Sequence, residues 1–212
     1  MKKVLIMAIA LMVSTMTFAG KSDALKAITK CKDYAEAAQL LKNSLSQLAD
    51  DAEKAEAYNH LVDLAMAKVQ NETGTIAENQ AAMQLGTGKS KEYDTLGLGD
   101  GICNAIEMAI ECNKYDQLPD AKGKVKPRFA EKNAQRIWAV RANLVNIGQT
   151  CAQNGNEAGV LKYWGAFTDS AEEPLFAAMD KAPEKEYAGQ VAFFAGRYAF
   201  QAKDMARANK YF

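Results

Sequence analysis

Residues Leu144 to Phe167, LVNIGQTCAQNGNEAGVLKYWGAF, decide the fold. Leu144, Ile147, Gly148 and Cys151 recur at the three- and four-residue spacing of one helical face. Asn154-Gly155-Asn156 then supplies a stop and a fresh start, because Gly adopts positive φ without penalty and Asn caps the next helix. Val160, Leu161, Trp164 and Phe167 line one side of that second helix. Two helices this short cannot bury both apolar faces alone, so the hairpin needs neighbours.

Outward from this pair, the rest of the chain reads as helix. Val-Ile-Thr runs are scarce and no segment alternates like a strand, so the fold class is all-α. Toward the N-terminus, helices are expected through Leu25 and Ile28, from Ala35 to Leu48, and from an Asp50-Asp51 cap through Tyr58, Leu61, Leu64 and Ala65 to about Val69. Residues 71–129 read as an irregular central segment. A short helix near Ile76–Leu85 precedes a flexible loop at Gly86-Thr87-Gly88, Gly97, Gly99 and Gly101. A helix over Ile102–Asn113, capped near Asp100 or Gly101, precedes a Lys-rich turn at Lys122–Pro127 and a long helix from about Arg128.

The hairpin resembles the tetratricopeptide repeat, whose pattern is W-x2-L-G-x2-Y in a first helix and A-x3-F in a second. Leu144-x2-Ile147-Gly148-x2-Cys151 with Val160-x3-Trp164 carries the resemblance, and Ala192-x2-Ala195-Gly196-x2-Ala199 with Ala208-x3-Phe212 repeats it. Ala37-x3-Leu41 and Tyr58-x2-Leu61-Val62-x2-Ala65 are weaker echoes. Glycine at positions 148 and 196 lets paired helices approach closely. Gly148 and Gly196 lie 48 residues apart, rather than about 34, so Ser170–Pro183 is inserted between units. The resemblance implies a right-handed α-solenoid of antiparallel helical hairpins, with units near 22–70, 130–169 and 184–212. Phe212 falls inside a second helix, so the sequence is expected to be part of a longer product, or its open end to be covered by a partner.

The first nineteen residues read as a secretory signal peptide. Lys2 and Lys3 precede an apolar run from Val4 to Val13, and Thr17-Phe18-Ala19 ends in small residues suited to cleavage after Ala19. That run is too short to span a bilayer, which needs about 20 residues. Residues 20–212 are then one helical-repeat domain, periplasmic or secreted, with no membrane insertion after cleavage. The whole sequence has 26 basic and 26 acidic residues, a balance that argues against a nucleic-acid or membrane-surface partner held by bulk charge.

Candidate chemistry is thin. Gly86-Thr87-Gly88-Lys89-Ser90 mimics the end of a phosphate-binding loop, but Met83 stands where the motif needs glycine. Gly97–Gly101 reads as a turn. His60, the single histidine, has too few ligand-type neighbours for a metal site and reads as a surface or core-edge residue. Glu107 with Glu111 reads as a solvated face rather than a glycosidase pair. The basic run Lys122, Lys124, Lys126, Arg128, Lys132, Arg136 and Arg141 reads as solvated or paired with acids such as Asp116 and Asp120. Cys103 and Cys112 would lie about 13 Å apart along one helix, beyond disulfide reach. Four packed thiols are therefore expected, with one long-range bridge as the alternative.

The resulting expectation is a non-catalytic scaffold for a protein or peptide partner, with no cofactor and no metal. In tetratricopeptide-like arrays the first helices line a concave groove. The resemblance therefore implies a binding face of Asn59, Asp63, Val145, Gln149, Gln153, Phe193 and Arg197. The alternative is a structural subunit or self-assembling adaptor, a homo-oligomer included, in which Leu175, Phe176, Tyr187, Phe193 and Phe200 pack against another chain. An exported hydrolase would rest on scattered carboxylates alone.

Overall fold

A computed structural model describes residues 20–86, 90–120 and 122–212. The expected signal peptide and most of the Gly86–Ser90 stretch lie outside the described residues. Among the described residues the fold is all-helical: α1 (Asp23–Lys30), α2 (Tyr34–Ser44), α3 (Asp51–Leu85), α4 (Thr95–Asp116), α5 (Ala130–Arg141), α6 (Asn143–Gln153), α7 (Glu157–Ser170), α8 (Lys185–Gln201) and α9 (Met205–Tyr211). None of these helices is long and apolar enough to cross a membrane.

Much of the central segment is regular helix, which corrects the loop expected at Gly97, Gly99 and Gly101. α3 runs unbroken for 35 residues from an Asp50 cap to Gly86, which closes it at φ 62°. Thr73, beside Gly74, keeps the turn polar but satisfied by donating its hydroxyl to Val69 O at 2.9 Å. α4 starts at an Asp94 cap whose carboxylate accepts from Gly97 N at 2.7 Å, so the cap is not Asp100 or Gly101. Gly97, Gly99 and Gly101 sit inside the first turns of α4, all buried. Here glycine serves close approach rather than flexibility. A Cβ on Gly101 would lie 3.0 Å from Val69 and 3.4 Å from Ala65 O, and one on Gly99 would lie 2.6 Å from the Tyr163 ring.

α3 and α4 form the longest hairpin. Cys112 Sγ donates to Ala55 O at 3.3 Å and Gly101 faces Val69, which sets the helices antiparallel. The Asn79 side chain bonds Lys91 N and O at 2.7 and 2.8 Å. In this register about ten residues of α3 extend past the start of α4, and Met83 and Leu85 there are 80% and 73% exposed. α1 and α2 pack on the other end of α3, where Leu25, Ile28, Ala37, Leu41 and Leu61 form a small core of their own.

The deciding stretch folds as its pattern implies. Gly155 takes φ 68°, and Asn156 caps α7 by accepting from Gly159 N at 2.9 Å. Gly148 holds the Trp164 indole, whose nearest atom would lie 2.3 Å from an added Cβ, while Trp164 Nε1 donates to Val145 O at 2.9 Å. Gly196 likewise takes the Phe212 ring, at 3.1 Å. The turn at Lys203 is left-handed (φ 62°), and Asp204 caps α9.

Between these hairpins, residues 171–184 form two 3-10 turns, Pro174–Phe176 and Ala182–Glu184. Leu175 and Phe176 are buried in this chain's own core, not offered to another chain. Arg141, expected in a solvated basic run, is fully buried beneath them. Its Nη1 donates to both Glu184 carboxylate oxygens at 2.5 Å, its Nη2 to Phe167 O at 2.8 Å and its Nε to Ser170 Oγ at 2.8 Å. Trp138 and Phe167 flank the guanidinium, with ring centres 4.2 and 4.1 Å from its carbon. Asp116 is also spent internally: it accepts the backbone N–H groups of Arg128, Phe129 and Ala130 and so starts α5.

Two stability measurements check this packing by urea unfolding. Gly148→Val is expected to lower the unfolding free energy by about 1–3 kcal/mol through overpacking against Trp164, whereas Gly74→Ala, with open space around it, raises it by about 0.5–1 kcal/mol. Arg141→Ala should cost about 3–5 kcal/mol because it strands Glu184, and Arg141→Met with Glu184→Leu should cost clearly less.

Candidate functional site

The second helices of the three hairpins, α4, α7 and α9, enclose a groove of about 430 Å³. Its walls follow from helical spacing. Cys103, Ile106, Glu107 and Ile110 stand at i, i+3, i+4 and i+7 on α4, and Leu161, Lys162, Gly165 and Ala166 at i, i+1, i+4 and i+5 on α7. Arg207 and Tyr211 come from α9. Gly165 permits the last contact, since the Tyr211 hydroxyl would stand 3.0 Å from a Cβ there.

One end of the groove is fixed by polar bonds between α4 and α7. Asp100 Oδ1 accepts from Tyr163 O–H at 2.6 Å and from Lys162 Nζ at 2.7 Å. Burial works against ionisation of Asp100, but these two donors outweigh it and hold its carboxyl below the usual range. The Tyr163 phenol is pushed upward by burial and by the same carboxylate. On the α9 side, Tyr211 O–H donates to Asp169 at 3.1 Å and Lys210 pairs with Asp169 at 2.7 Å.

The floor is apolar and the rim carries single charges. Lys162, Arg207 and Asp169 have partners within the chain, at Asp100, Asp204 and Lys210. Glu107 is exposed and takes part in no ion pair or side-chain hydrogen bond among the described residues. Cys103 is the one nucleophile-type side chain in the wall. Burial pushes its thiol up to about 12, so it stays protonated near neutral pH and is a poor attacking group. His60 is remote from the groove, with its Nε2 on Cys31 O at 2.9 Å, where it ties the turn after α1 to α3. No group of three His, Cys, Asp or Glu able to hold a metal ion occurs among the described residues. Such a groove suits the burial of apolar side chains.

The residues expected to form a concave face lie elsewhere, spread over α3, α6 and α8. Asn59 and Asp63 meet α5: Asn133 Nδ2 donates to Asn59 at 3.1 Å and Arg136 Nη1 to Asp63 at 2.6 Å. Val145 is half-buried beside Trp164, while Gln149, Gln153, Phe193 and Arg197 are exposed on α6 and α8. None of the seven lines the groove. Sequence patterning singles out neither Cys103, Leu161 and Tyr211 as groove residues nor Arg141 as a buried charge. The available signal was the small and apolar positions repeating along second helices, which a core assignment absorbs equally well.

No family model, curated protein or solved structure matches the chain.

All four cysteines are free: Cys112 and Cys151 buried, Cys31 and Cys103 half-buried. Burial raises the Cys112 thiol to about 12 and also raises Cys151. Alkylation of the folded protein at pH 8, followed by peptide mass mapping, is expected to leave Cys112 and Cys151 unmodified until denaturant is added. Denatured, unreduced protein should then take four labels per chain; two labels would reveal a bridge.

Proposed function

We propose that the protein is an exported, non-catalytic scaffold, a tetratricopeptide-like array that binds a protein or peptide segment. The observation that carries this reading is the open groove between α4, α7 and α9, with its apolar floor and unpaired Glu107. Concave sites lined mainly by apolar side chains with a few polar groups are the usual form of a binding site. The glycine-seated aromatics at Gly148–Trp164 and Gly196–Phe212 support the array reading, because they use the tetratricopeptide pattern for its physical purpose. A protonated Cys103 and a histidine engaged elsewhere support binding over catalysis.

The groove is favoured over the face formed by first helices. Asn59 and Asp63 on that face already hold α5, so a ligand would have to compete with intramolecular bonds. The occupant that suits the groove is a segment with two or more apolar side chains and a basic residue placed against Glu107.

Selection of a displayed peptide library on the purified protein checks both points. Recovered peptides should be apolar with Lys or Arg. Leu161→Glu should weaken them at least tenfold, Glu107→Lys should weaken the basic ones, and Gln149→Ala should leave affinity unchanged. Loss of binding in Gln149→Ala with none in Leu161→Glu would move the site to the first-helix face.

A further inference from the structure

The exposed side of α8 is self-complementary, and we propose that it pairs with the same helix of a second copy about a two-fold axis. Glu186, Gly189, Gln190, Phe193, Arg197 and Phe200 are all exposed. At about 100° per residue they fall within an arc of about 100° on the helix, so they form one stripe. Phe193 is 50% and Phe200 59% exposed, and Phe194 beside them is 40% exposed. The Phe212 ring packs edge-on against Phe193 at 5.8 Å and widens the apolar surface.

Charge and shape fix the occupant as another α8. Nearby ion pairs include Arg141–Glu184, Arg207–Asp204 and Lys210–Asp169, and neither Glu186 nor Arg197 joins an ion pair among the described residues. These two opposite charges stand eleven residues apart, about 16 Å along the axis. A two-fold axis between positions 191 and 192 sets an antiparallel α8 so that each Glu186 meets the other copy's Arg197. The same register places Phe193 over the Gly189–Gln190 step and Phe200 over Pro183. Gly189 has open space where a Cβ would stand. An exposed mid-helix glycine weakens a helix relative to alanine, and no packing among the described residues accounts for it. In the paired arrangement it is the hollow that receives an aromatic ring.

Such an interface is isologous, each patch serving as its own complement. A 17-residue helix is about 25 Å long and 10 Å wide, a smaller footprint than the roughly 800 Å² per partner of a standard interface. Association is therefore weak. The stripe is on α8 and the groove is on α4, α7 and α9, so either proposal can fail while the other stands.

Sedimentation equilibrium across about 1–500 µM protein tests the pairing. The expected result is a mass rising from monomer to dimer. Arg197→Glu and Glu186→Arg should each weaken it at least tenfold, and a one-to-one mixture of the two variants should recover it, because every contact in the mixed dimer is again opposite in sign. Gly189→Leu should raise the melting temperature and still weaken association, which separates loss of pairing from loss of folding. A monomer throughout the range overturns the proposal. So does a dimer indifferent to Arg197→Glu and Gly189→Leu, or a mixture that does not recover.

Discussion

The guanidinium of Arg141 is the charge around which the C-terminal half is packed. An ion taken out of water must find its charge and its hydrogen bonds inside the protein, and Arg141 finds them on two other segments, with a ring of its own helix stacked on it. Glu184 leads into α8, Phe167 and Ser170 end α7, and Trp138 belongs to α5. These contacts hold together elements that are otherwise joined by irregular chain. The 3-10 turns of residues 171–184 are anchored at two places, by burial of Leu175 and Phe176 and by the Glu184 ion pair. The hydrophobic pattern supplies the energy; the buried ion pair selects one arrangement.

Much of the helical layout was legible from spacing and caps. Asn156 and Asp50 cap the helices their positions imply, and Gly155 turns left-handed where the pattern changes. The central segment was not legible, for a physical reason. Gly97, Gly99 and Gly101 carry the same letters as a loop, yet each is helical because Val69, Tyr163 or the Asp94 cap occupies the space a side chain would take. A sequence records that a side chain is absent, and only the partner shows whether the gap is for bending or for contact. Arg141 was hidden similarly, since its neighbours in the chain, Lys132 and Arg136 among them, suggest solvent while Glu184 lies 43 positions away.

The candidate site was less legible than the fold. A groove between helices is built from residues that resemble core in every local pattern: Cys103, Ile106 and Ile110 on α4, Leu161 and Ala166 on α7. What makes them groove rather than core is how α4, α7 and α9 are set against one another, which depends on the Tyr163–Asp100 and Tyr211–Asp169 bonds. Those bonds link residues 63 and 42 positions apart. The resemblance to tetratricopeptide repeats directed attention to first helices, whereas the concavity lies along second helices.

The overhang of α3 has a different consequence. Past Thr75 the helix has no α4 beside it; beyond the packed Ile76, its contacts among the described residues include the two bonds between Asn79 and Lys91 and the Lys91–Glu78 ion pair. A helix of about ten residues is marginal in water by itself, so these last turns owe their form to the long helix they continue. That end of the molecule is a handle: a dye, an affinity tag or a surface linker attached near Gln84 would report on the protein while leaving both the groove and the α8 stripe untouched.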